Sequence, residues 1–167
     1  MQLLHRLVNT GVNYASTPSA QRGLQLANAV AIIFFLMSLV VAIMYYLWYG
    51  WYPLTYLIPL TGFSAFIIVL FNQWGWIYVS RVWLSIGPAI LITALSIYSK
   101  SLYYEQQAEL DYFTFRMVIL ASCVIPWVVF SFHERTALFI SSALGLAVLM
   151  LHDPLHFLFG VPYQQDK

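Results

Sequence analysis

Charge is what this sequence has least of. Only 8% of its 167 residues are Asp, Glu, Lys or Arg, where soluble domains carry about 25%. An ordinary water-soluble domain is thereby excluded. A net charge of +1 leaves no basic footprint for nucleic acid, which is not an expected partner. Cysteine is nearly absent. Cys123, the single one, permits no intrachain disulfide, and its apolar setting says nothing of compartment. No HExxH, nucleotide-binding glycine pattern or nucleophile elbow occurs. No catalytic residue and no cofactor are therefore expected. Acidic residues are missing from the middle of every apolar run, which counts against a proton- or sodium-coupled transporter.

Apolar residues fill the space: 62% of the chain is hydrophobic and the mean hydropathy is +0.78. Leu24 to Leu47 has no ionisable side chain. As a helix it reaches roughly 36 Å, against a bilayer core of roughly 30 Å. Only a helix satisfies its own backbone inside one such segment, so it is expected to span. Arg22 precedes it, and the aromatic run Tyr45–Tyr52 follows. Basic residues favour the cytoplasmic side and Trp and Tyr the interfaces, so the N-terminus is expected in the cytoplasm. No cleavable signal peptide or lipid anchor is expected.

The fold class expected is all-α: a polytopic transmembrane bundle of five spans, with short interfacial helices at both ends. Residues 1–23 read as a cytoplasmic amphipathic helix (residues 1–9) and a polar connector, with Ser19 as N-cap for the first span. Residues 24–151 hold the bundle. After the first span, helices are expected from Pro53 to Phe71, Val82 to Tyr98 (kinked at Gly87-Pro88), Tyr112 to Phe132, and Thr136 to Leu151. Residues 152–167 read as an outer interfacial segment. There Asp153 caps, Pro154 opens and Gly160 closes a short helix over Leu155–Phe159. Arg6, Arg22, Arg81 and Arg135 then lie inside, and Lys100 and Lys167 outside.

Few residues can carry chemistry. Arg116 lies one turn inside a predicted span and needs either a partner or a route to the surface. Its expected partners are Glu109 or Asp111 in the acidic outer loop, and this trio is the candidate ligand site. His152, Asp153 and His156 offer two imidazoles and a carboxylate, a set that could hold zinc if Glu105 or Glu109 added a fourth ligand. His133-Glu134-Arg135 reads as a charged turn that fixes topology. Ala137, Ser141 and Gly145 recur every four residues and form a small-residue seam for close helix packing. Asn28, Thr61, Ser64, Ser85, Thr93, Ser96, Ser122, Ser141 and Ser142 are expected to bond between helices.

Three stretches carry a resemblance: RGLQLANAVAIIFF (22–35), SFHERTALFISSALGLAVL (131–149) and LHDPLHFLFGV (151–161). The layout resembles the N-terminal multi-pass membrane region of bacterial signalling proteins of the Bacteroidetes type. There about six helices precede a cytoplasmic histidine kinase or nucleotide cyclase. The resemblance implies a sensor or anchoring domain of the bacterial inner membrane, without activity of its own. It also implies a sixth helix and a catalytic domain, which these residues do not contain. The alternative expectation is a small structural subunit of a larger membrane complex, and a transporter ranks below both. The lipid bilayer is the expected surrounding, with a homo-oligomer or other membrane subunits as partners.

Overall fold

The computed structural model describes residues 2–51, 53–102 and 109–161, with side chains for all of these except 102 and 109–113. Eight α-helices form among them: α1 (Gln2–Val8), α2 (Pro18–Tyr49), α3 (Pro53–Phe66), α4 (Ile68–Gln73), α5 (Ile77–Leu102), α6 (Glu109–Ser122), α7 (Ile125–Val129) and α8 (Arg135–Leu158). No strand occurs among the described residues. Four stretches are long and apolar enough to cross a membrane: Pro18–Tyr49, Pro53–Gln73, Ile77–Ser101 and Phe132–Leu158. A fifth apolar stretch, Thr114–Val129, is shorter. The fold is a helical bundle, and its four long apolar helices point to a membrane-embedded chain.

The break that shortens the fifth stretch has a local cause. Pro126 has no N–H to offer the carbonyl of Ser122, the residue at which α6 ends. The chain passes Cys123 and Val124 and resumes as α7. Elsewhere proline is tolerated: Pro59, Pro88 and Pro154 all lie inside helices, and α5 runs through Gly87-Pro88 as one helix.

Two expected helix ends are corrected. Ser19 does not cap the first span. Thr17 does, accepting from the Ala20 N–H at 3.2 Å, and Pro18 takes the first helical position. The helix therefore starts six residues before Leu24. Nor does Asp153 cap a separate helix over Leu155–Phe159, because α8 continues through Pro154 to Leu158. Asp153 is drawn sideways to Arg116, and the turn before Pro154 is already helical. Gly160 does close the helix. At φ +69 it lets the Val161 N–H reach the His156 carbonyl at 3.0 Å and its own N–H reach that of Phe157 at 3.1 Å.

Burial is arranged as a bilayer requires. On α2 the buried face is mostly small (Gly23, Ala27, Ala31, Ser38, Ala42), while Ile33, Leu36, Met37 and Val40 are exposed. Large apolar groups outward and small ones inward suits helices that pack in lipid. The closest approach joins α2 to α3. A Cβ on Gly62 would stand 1.9 Å from Ser38 Oγ and 3.2 Å from the Phe35 Cα, so only glycine fits there. The main core gathers Ala27 and Ala31 of α2, Ala65 of α3, Ile68 of α4, Leu84 of α5, Val129 of α7 and Leu138 of α8. Leu7 of α1 packs against it.

The N-terminal segment is docked as well as amphipathic. Leu3 and Leu4 are exposed, but Asn28 Nδ2 donates to the carbonyls of Val8 at 3.0 Å and Thr10 at 2.9 Å. Gly11, at φ +80, lies so close to the Asn72 carbonyl that a Cβ would be 2.3 Å from its oxygen.

Candidate functional site

Most polar side chains inside the helices bond to their own helix. Thr61, Ser85, Thr93 and Ser122 donate to carbonyls three or four residues back. Trp83 Nε1 of α5 donates to the Ser64 carbonyl and Oγ of α3 at 3.2 and 3.3 Å; most others that cross between helices collect at two opposite ends of the α5–α8 pair.

The end farther from the N-terminus is built by three helices. From α5 come Ser96 and Lys100, one turn apart and both buried. From α8 come His152, Asp153 and His156, and from α6 comes Arg116. Both imidazoles are fully buried, their ring centres 4.3 Å apart. His156 Nδ1 lies 2.7 Å from the His152 carbonyl, which can only accept. The proton therefore sits on Nδ1, and in the neutral ring Nε2 accepts from Ser96 Oγ at 3.0 Å. Arg116 Nη2 donates to Asp153 Oδ2, and Asp153 Oδ1 stands 3.5 Å from His152 Nδ1. The Arg116 and Asp153 side chains are 34% and 48% exposed, so the cluster runs from a sealed floor of imidazoles to an accessible ion pair.

Of the residues picked from sequence, this end unites Arg116 with the His152–Asp153–His156 trio. Glu105, and the side chains of Glu109 and Asp111, lie outside the described residues, so the expected Arg116 pairs are not seen; Asp153 takes a guanidinium nitrogen. Among the described residues no three His, Cys, Asp or Glu side chains converge to hold a metal, and both nitrogens of His156 are engaged. Ser96 hydrogen-bonded to His156 has the separation of a nucleophile and its base. Both are nearly sealed, at 3% and 1% exposure.

The opposite end holds what sequence reasoning missed. Arg81, expected only as one of the cytoplasmic-side arginines, is 1% exposed. Its Nη2 and Nη1 donate to Glu134 Oε1 at 2.7 Å and Oε2 at 2.9 Å. Nη1 also reaches the Val129 carbonyl at 3.3 Å and Nε the Ile77 carbonyl at 3.2 Å. Tyr78 and Phe130 present ring faces at 5.1 and 5.0 Å. Glu134 Oε2 additionally accepts from the Ser131 N–H at 3.0 Å. A signal was present: Ser131-x-x-Glu134 spells a capping box, which keeps the carboxylate at a fixed place in the turn. Beside this pair, Asn72 Nδ2 donates to Asn28 Oδ1 at 2.6 Å and Ser80 Oγ donates to Asn72 Oδ1. That buried chain ties α2, α4 and α5 together.

The small-residue seam on α8 is used within the chain. Ser141 and Gly145 are buried and Ala137 packs on the main core. A Cβ on Gly145 would touch Cys123 Sγ at 3.5 Å, so the seam meets the α6–α7 junction.

No protein-family model matches this chain, and neither a curated protein nor a solved structure matches it.

Proposed function

We propose that the chain is a non-catalytic sensor or anchoring domain of a bacterial inner-membrane signalling protein. It crosses five times with its N-terminus in the cytoplasm. α6 and α7 together form the fourth crossing: Glu109 to Val129 reaches roughly 31 Å, enough for the hydrocarbon core. Arg6, Arg22, Arg81 and Arg135 then share the cytoplasmic end, in keeping with the positive-inside bias.

One observation carries the sensor reading. The same two helices, α5 and α8, hold a polar cluster at each end: Ser96, Lys100, His152 and His156 outside, Arg81 and Glu134 inside. A change in the partly accessible Arg116–Asp153 pair bears directly on α8, whose preceding residue, Glu134, is clamped to Arg81 of α5. Such a pair of rigid helices with discrete polar contacts is a physical route for coupling the two faces. The structural-subunit alternative expected the Ala137–Ser141–Gly145 seam to face a partner, but that seam packs on this chain.

The test has two parts. Reporter fusions after residues 134 and 167 should report opposite sides. Alkylation of a cysteine placed at 133, with Cys123→Ala, should change rate severalfold when Arg116→Met is added. Equal rates would remove the sensor role and leave an anchor.

A further inference from the structure

Beyond the sensor reading, we infer that the N-terminal end of α8 is a binding site for one anionic phospholipid. Three observations carry it. First, the initial N–H groups of a helix lack acceptors inside it; the Ser131/Glu134 capping box serves the turn Phe132–Glu134 just ahead of α8, and no side chain caps the first N–H groups of α8 itself. The helix dipole makes that end attractive to a phosphate. Second, a cavity of about 450 Å³ opens beside it, with His133, Arg135 and Thr136 at its mouth and Tyr78 and Val82 on its wall. The one carboxylate there, Glu134, has both oxygens held by Arg81 and Ser131. Third, Ser141 lines the same cavity, is 0% exposed, and its hydroxyl has no hydrogen-bond partner.

A ligand that satisfies all three has a phosphate at Arg135 and the α8 N-terminus. It has a hydrogen-bond acceptor roughly 9 Å further along the helix, at Ser141. A glycerophospholipid has that order: phosphate, then ester carbonyl, then acyl chain. The acyl chain has a place too. Tyr78 and Val82 continue into a second, wholly apolar furrow of about 370 Å³ that follows α5 through Ile86 to Ile90. Tyr78 to Ile90 covers roughly 18 Å of helix, about one leaflet of a 30 Å core. Free phosphate would use the mouth but leave Ser141 and the furrow unoccupied.

The experiment uses the full chain, purified in detergent and analysed by native mass spectrometry. The probes are phosphatidylglycerol, chain-matched phosphatidylcholine, and inorganic phosphate. One phosphatidylglycerol should be retained about tenfold more than phosphatidylcholine, the size expected of a cation and a helix terminus acting on a net charge. Arg135→Gln should erase that preference, while Arg6→Gln, a charge at the same end but outside the cavity, should preserve it. Ser141→Ala should lower retention of both lipids. Equal retention of the two lipids by the wild-type chain would overturn the site. So would an unchanged preference in Arg135→Gln. Displacement of the lipid by inorganic phosphate alone would overturn the lipid as occupant.

Discussion

Replacing Glu134 with Gln should be among the most destabilising single changes in this protein. The substitution keeps the volume and removes the charge opposite Arg81. Arg81 is 1% exposed and Glu134 13%, so little water is at hand to take over. The guanidinium would keep the Ile77 and Val129 carbonyls and the two ring faces, but lose its anion. Breaking one side of a buried pair costs roughly 3–5 kcal/mol, whereas replacing both partners with well-packed apolar groups is often close to neutral. Arg81→Met alone should fall in the same range, because Glu134 would keep only the Ser131 donors. The double variant Arg81→Met/Glu134→Gln should cost much less than the two singles added, with a coupling of at least about 2 kcal/mol. Reversible unfolding in mixed micelles, followed by tryptophan fluorescence, would measure all four corners of the cycle. Additive singles would mean that the two residues are held independently, and the Arg81–Glu134 clamp between α5 and the start of α8 would have to be abandoned.

Further expectations follow from the packing and from the Arg116–Asp153 ion pair. At Gly62 even a methyl group meets Ser38, so Gly62→Ala should destabilise by about 1–3 kcal/mol and be partly rescued by Ser38→Gly. At Gly145 the nearest atom is at ordinary contact distance, so Gly145→Ala should unfold like wild type and Gly145→Leu should lose about 1–3 kcal/mol; thermal melts in detergent rank the four variants, and a harmless Gly145→Leu would put the seam on the lipid side. The Arg116–Asp153 pair is half accessible, so Arg116→Met should cost only about 0–1 kcal/mol. Arg116→Glu should cost more and recover in Arg116→Glu/Asp153→Lys; a charge swap that recovers nothing would assign Arg116 a different partner.

Much of the fold was legible in the sequence because long apolar helices are decided locally. Inside a bilayer a segment must satisfy its own backbone, so length and hydropathy locate α2, while proline at Pro53 marks the start of α3 and Gly160 a helix stop, expected there for a short separate helix rather than for α8. Thr17 in place of Ser19, and α8 running through Pro154, were harder to read. Several residues near each end are competent caps, and only packing selects among them. The polar side chains were the least legible. Arg81 looks in sequence like one of four similar topology signals, and nothing local distinguishes it from Arg6 or Arg22. Its burial depends on Glu134, 53 residues away, and on α7 and α8 closing over α5. Likewise Arg116 and Asp153 meet across 37 residues. Sequence determined which residues are apolar enough to span and which few are charged. Only the tertiary structure decided which of those charges meet, because in a medium that cannot solvate them their partners are set by helix packing rather than by spacing along the chain.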